Sequence, residues 1–139
     1  MAIAVLKASV EVGDDLPSIA RQFSLDDFKR ADEQTIHTDL AAARREGLEA
    51  PVAIGPQVAS LIFRQLREAF GRGWVEGGAC TLTFRRPVLV TDFCVARGKV
   101  VGTSTDAAGA TRVDCDVWIE NQRGEKVIVG SASGSIPRP

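Results

Sequence analysis

His37 is the only histidine of the 139-residue chain, and Asp32 precedes it by five positions in a stretch, residues 32–38, where neither helix nor strand is expected. An imidazole changes charge near neutrality, and a carboxylate beside it can share a water and raise its basicity, a pairing suited to acid/base work on a small substrate. Loops on a rigid scaffold commonly hold such groups. By itself the D-x4-H spacing also describes a solvated loop histidine next to one of many acids. Other chemistry is thinly represented. Cys80, Cys94 and Cys115 are odd in number and widely spaced, which fits neither a disulfide framework nor a CxxC metal motif. Cys94 and Cys115 fall in strand-like runs, where a free cysteine is a small buried hydrophobe, so no thiol chemistry is expected. Gly71, Gly73, Gly77 and Gly78 follow a helix and precede a strand, the wrong order for a phosphate cradle, and read as loop punctuation. Ala132 at the centre of Gly130-Ser131-Ala132-Ser133-Gly134 excludes a nucleophile elbow.

The chain is the length of one domain spanning residues 1–139, and 45% hydrophobic with 25% charged residues is ordinary globular composition. Seventeen basic against eighteen acidic residues, scattered in sign, leave a net charge of -1, without the basic footprint of a nucleic-acid binder. No apolar run approaches the roughly 20 residues of a membrane helix, and the N-terminus does not read as a signal peptide. A soluble, cytoplasmic protein in a reducing compartment is expected, with neither nucleic acid nor membrane as partner.

The elements that must position His37 follow from periodicity. Residues 3–12, rich in Val and Ile and closed by Gly13-Asp14, read as a strand able to pair at a sheet edge. Ser24 with Asp27 three residues on resembles a capping box for a short helix reaching about Ala31. Thr38-Asp39 can cap a second helix over residues 40–46, ended by Gly47. From Pro56, the positions Val58, Leu61, Ile62, Leu66, Ala69 and Phe70 form one helical stripe, while Arg64, Gln65, Arg67 and Glu68 make its last turns amphipathic. Beyond the glycines, residues 81–84, 88–90, 94–101, 111–119 and 126–131 read as strands. In the clearest, Val113, Cys115, Val117 and Ile119 share one face and Arg112, Asp114, Asp116 and Trp118 the other. Early helices and late consecutive strands predict an α+β fold with an antiparallel sheet packed on the long helix.

A wider pattern resembles the MaoC-type, (R)-specific enoyl-CoA hydratase/dehydratase family of hot-dog proteins. Phe28, then Ala31-Asp32-Glu33-Gln34-Thr35-Ile36-His37, then Asp39 and Ala42-Ala43 are similar to its [YF], G-D-x-N-P-[LIV]-H and small-residue run. Ala31, Gln34 and Thr35 stand in place of that motif's Gly, Asn and Pro. Pro51-Val52-Ala53-Ile54-Gly55 followed by Val58-Ala59-Ser60-Leu61 resembles the stretch leading into the family's central helix. Thr83-Phe84-Arg85-Arg86-Pro87-Val88 and Asp92 resemble its S-F-x-x-P-V and G-D elements, and Val12-Gly13-Asp14 to Pro17 its opening. The likeness covers most of residues 11–102.

The resemblance implies a hot-dog domain, a long central helix wrapped by a curved antiparallel sheet, assembled as a homodimer. It implies a lyase of fatty acid metabolism that adds water to a trans-2-enoyl thioester, giving an (R)-3-hydroxyacyl thioester. Asp32 and His37 would bind the water, and the Gly55 N–H, opening the long helix, would receive the charge built on the thioester oxygen. Gln34, Gln57, Ser60, Arg85 and Arg86 are candidate substrate contacts, the arginines because guanidinium matches phosphate geometry. The partner would be an acyl-CoA or acyl-carrier thioester, coenzyme A entering as substrate, with no metal or redox cofactor. Two other readings stay open: a non-catalytic acyl-thioester binder or structural partner in a heteromeric hydratase, and a hot-dog thioesterase, for which Glu68 is the one acid on the helix.

Overall fold

A computed structural model describes residues 4–28 and 34–137. The longest helix grows from the stripe read in the sequence. It runs Gly55–Phe70, here α2, with proline in its first turn and its C-cap at Gly71, whose φ of 56° lies in the left-handed region that a glycine adopts without strain. Every stripe residue is buried, and Ile62, Leu66 and Phe70 are sealed to 1% exposure or less. Each side chain of that size contributes about 1.5–3 kcal/mol on full burial. One antiparallel sheet packs on this helix.

Its strands are β1 (Ile19–Gln22), β2 (Ala79–Phe84), β3 (Phe93–Thr105), β4 (Thr111–Glu120) and β5 (Lys126–Ile136), in the spatial order β1-β3-β4-β5-β2. In β4 the alternation is as expected, with Val113, Cys115, Val117 and Ile119 at 1% exposure or less. The α+β hot-dog arrangement is thus the one the chain adopts. A six-residue helix α1 (Leu40–Arg45) is capped by the Asp39 carboxylate, which accepts from Ala42 N at 2.9 Å, and Gly47 follows its end at φ 81°.

Five expectations are corrected. Residues 4–12 form bends and turns rather than a strand; Val5 and Leu6 N–H donate to Glu68 O (2.9 Å) and Ala69 O (3.0 Å). The last carbonyls of α2 have no partner within the helix, and the N-terminal segment supplies donors to them. Strand pairing begins later, at the Asp15–Lys99 bridge and then β1. The helix after Ser24 is a 3-10 turn, Leu25–Asp27, in which the Asp27 carboxylate accepts from Ser24 N at 2.8 Å; its expected end near Ala31 lies outside the described residues.

The glycine-rich stretch contains a helix, α3 (Arg72–Gly77), because a side chain at Gly73 would collide with the Ser135 carbonyl of β5. Glycine here permits a helix to lie directly on a strand. Residues 88–90 are not a strand either. A single bridge joins Leu89 to Val52, with Ala53 N donating to Val88 O (2.7 Å) and Val90 N to Pro51 O (3.1 Å).

Gln65, expected on the polar side of α2, is fully buried, and neither its amide oxygen nor its nitrogen has a hydrogen-bond partner among the described residues. A buried amide left unpaired costs about 1–3 kcal/mol. Gln65→Met, similar in length and apolar, is therefore expected to raise stability by roughly that amount, read as a higher Tm or denaturant midpoint. A lowered midpoint would mean that the amide is satisfied in solution.

Candidate functional site

The site is organised by one short segment, residues 51–53, lying between two others. Val52 N donates to Ile36 O at 2.9 Å, and Val52 O meets His37 Nδ1 at 2.7 Å. A carbonyl only accepts, so in the neutral imidazole the proton resides on Nδ1 and the lone pair on Nε2. In that neutral form the half-buried His37 carries its lone pair on Nε2. The backbone around it is a closed turn in which Thr35 O accepts from Thr38 N (3.1 Å) and Asp39 N (2.9 Å).

Three residues after Val52 the chain enters α2. Gly55 N–H, at the first helical position, makes no hydrogen bond among the described residues, as expected of a first-turn amide. Gly55 lines a cavity of about 400 Å³ together with Ile36, Val52, Val58, Phe84 and Ile128, with Arg85 and Arg86 also in its lining. That size is ordinary for a small-molecule site. The Phe84 ring covers the glycine closely; a Cβ built on Gly55 would meet its Cε1 at 3.1 Å. An apolar wall with a free amide at a helix N-terminus can receive an acyl chain and the oxygen of its carbonyl.

The two arginines differ. Arg86 pairs with Glu125 at 3.3 Å, and that carboxylate also accepts from Asn121 Nδ2 (2.9 Å) and Arg123 Nε (2.7 Å). These donors, Asn121 foremost, hold the Glu125 carboxyl below the usual carboxylate range. The Arg85 guanidinium has no hydrogen-bond or ion-pair partner among the described residues, so its charge is available at the cavity. Asp92, 2% exposed, fastens the loop behind it by accepting from Leu89 N and Gln122 Nε2, both at 2.9 Å.

The structure brings Gly55, Arg85 and Arg86 onto one cavity; His37 does not line it, although its chain neighbour Ile36 and its hydrogen-bond partner Val52 do. Asp32 lies outside the described residues. Gln34, Gln57 and Ser60 do not line this cavity. Gln34 is exposed; Gln57 Nε2 donates to Asp27 O (3.0 Å), tying the 3-10 turn to α2; and the exposed Ser60 hydroxyl donates to Gln57 O (2.6 Å). Glu68 is spent on Arg64 at 3.3 Å. Sequence reasoning missed the Val52 carbonyl and the Glu125 clamp. The first is a backbone atom and carries no residue signal; the second joins positions 39 apart in the chain.

No protein-family model and no curated protein sequence matches the chain. Solved structures do. The (R)-hydratase from A. caviae involved in PHA biosynthesis is 24% identical, with 94% of this chain and 100% of that one covered at a TM-score of 0.74. The MaoC-like dehydratase from Rhodospirillum rubrum is 22% identical, covering 99% of each chain at 0.80. The HadBC (3R-hydroxyacyl-ACP dehydratase) complex from Mycobacterium tuberculosis is 22% identical, covering 89% and 96% at 0.63. The chain shares the fold of these proteins over nearly its whole length. Among the described residues, no helix is long and apolar enough to cross a membrane.

The cysteines are unsuited to act as nucleophiles. Burial pushes the thiols of Cys94 and Cys115 up to about 12, with Asp92 adding to the first and Asp114 and Asp116 to the second. Unfolded thiols ionise near 9, so the folded chain keeps protons that the unfolded chain releases between about pH 9 and 12. The stability these groups contribute is whole below pH 9 and is lost as pH rises toward 12. A pH-jump series should show the reaction of both thiols with an alkylating reagent coinciding with loss of circular dichroism. Alkylation of Cys94 or Cys115 in the folded protein near pH 9 would contradict their sealing.

Proposed function

We propose that the chain is a hydratase/dehydratase of enoyl thioesters, adding water to a trans-2-enoyl thioester to give the (R)-3-hydroxyacyl thioester and catalysing the reverse. The observation that carries this reading is the Val52 segment, which holds the imidazole through its carbonyl and, three residues on, places Gly55, whose amide has no partner among the described residues, in the lining of a cavity.

Water adds across C2=C3 as follows. Nε2 of His37 accepts a proton from a water shared with Asp32, and the oxygen attacks C3. Electrons move onto the thioester oxygen, where the Gly55 N–H receives the charge. The enolate collapses as a proton is returned to C2 on the same face. Atoms balance without any other reactant. A donor aimed at the developing oxyanion is worth about 100 to 1,000-fold, and a positioned acid or base roughly 100 to 10,000-fold.

Arg85, with its uncommitted charge, would meet a phosphate of the arm that carries the acyl group, coenzyme A or a carrier protein. The active form would be a cytoplasmic homodimer serving fatty acid metabolism. The heteromeric HadBC neighbour favours one second reading, in which this chain is the non-catalytic member of a two-subunit hydratase. The thioesterase reading gains nothing, since Glu68 is ion-paired and does not line the cavity.

Hydration of crotonyl-CoA, followed with gel filtration of the same sample, separates these. A turning-over homodimer is expected, and His37→Ala and Asp32→Asn should each lower the rate by about 100 to 10,000-fold with the fold intact. Wild-type inactivity toward a panel of enoyl thioesters would favour the partner role, and near-normal rates in either variant would remove the dyad.

A further inference from the structure

Among the described residues, the hydroxyl of Thr35 is the one side-chain group that bonds the backbone N–H of His37. His37 N–H donates to Thr35 Oγ1 at 3.2 Å, and Thr35 N–H in turn donates to Thr38 Oγ1 at 3.1 Å, the two hydroxyl oxygens lying 3.4 Å apart. With Thr35 O taking the Thr38 and Asp39 amides, this threonine holds the turn at its amide, its carbonyl and its side chain. The turn encloses only Ile36 and His37. Ile36 is anchored separately through its carbonyl on Val52 N, and the imidazole through Nδ1 on Val52 O. The His37 peptide between these anchors has no other acceptor for its N–H among the described residues.

We propose that Thr35 is a positioning residue for the reaction: its Oγ1, acting through the His37 amide, sets the rotation of the 36–37 peptide and hence the direction in which Nε2 points. The inference rests on the hydratase reading for its kinetic consequence, but not for its structural one. Removing the acceptor leaves His37 N–H half-buried and unpaired, which favours rotation of that peptide toward solvent. The rotation pulls on the ring's hinge at Val52 O, so that the Nδ1 hydrogen bond opens more often as the far nitrogen swings. Displacements of about 1 Å at a reacting group can cost 100-fold, which sets the scale of the effect.

Thr35→Val keeps the branched shape and deletes the acceptor; Thr35→Ser keeps the acceptor and deletes a methyl. With crotonyl-CoA, Thr35→Val should lower kcat by about 10 to 100-fold with KM little changed, and Thr35→Ser should retain most of the wild-type rate. Because the chain has a single histidine, its ring resonances are unambiguous in nitrogen-15 NMR, giving a readout independent of turnover. The Nδ1–H of Thr35→Val should exchange with solvent faster than in the wild type and in Thr35→Ser, at unchanged Tm. Unaltered ring exchange in Thr35→Val overturns the proposal whether or not the wild type is active. Equal losses in both variants would overturn it too, by assigning the effect to side-chain volume. Faster exchange in Thr35→Val alone, with a wild type inactive toward enoyl thioesters, would uphold Thr35 as the positioning group and refute the hydratase reading instead.

Discussion

The hydrogen bond between His37 Nδ1 and the Val52 carbonyl, 2.7 Å long, is the constraint on which the site depends. It does three things at once. It selects the tautomer, it ties a segment without helix or strand to the rest of the fold, and it sets the spacing between the imidazole and the start of α2, because Val52 and Gly55 are three residues apart. Val52 is itself fixed on both sides: its N–H serves Ile36, and its flanking residues exchange hydrogen bonds with Val88 and Val90. The imidazole is thereby referred to the loop that follows Phe84 of β2 and carries Arg85 and Arg86.

That arrangement needs a rigid reference, which the core supplies. Val58, Leu61, Ile62, Leu66 and Phe70 of α2 are buried in one core with the valines and isoleucines of β3 to β5, and interiors are close-packed, so the helix is held in place. Its first amide therefore has a fixed direction. At the opposite end the N-terminal segment satisfies the carbonyls of Glu68 and Ala69. The Gln65 amide in the middle of this core, without a partner among the described residues, is an energetic concession with no role in the mechanism above.

What could be read from the sequence is what periodicity encodes. The threes and fours from Val58 to Phe70, and the strict alternation from Arg112 to Ile119, each specify an element and its buried face. Where the chain departs from that logic, tertiary contacts decided. The apolar N-terminal run loses its strand because α2 offers it carbonyls, whereas Ile19–Gln22, with only Ile19 buried, is a strand because β3 is beside it. Glycines that read as punctuation form α3 because a strand lies against them. Of the candidate site residues read from the sequence, Gly55, Arg85 and Arg86 line the cavity, and His37 is held by the Val52 carbonyl beside it in the fold. The Val52 carbonyl, the hydroxyl of Thr35 and the Glu125 clamp were not legible in the sequence, since each acts through backbone atoms or through a partner fixed only by folding.

The central claim is that His37 keeps its proton on the inner nitrogen and offers the outer one as a base. The most direct test is the nitrogen-15 spectrum of this single imidazole in the neutral form. Protonated-type coupling and shift at Nδ1, with an unprotonated Nε2, is the result expected. A proton resident on Nε2 would contradict the account, because the nitrogen meant to take a proton from water would then already hold one.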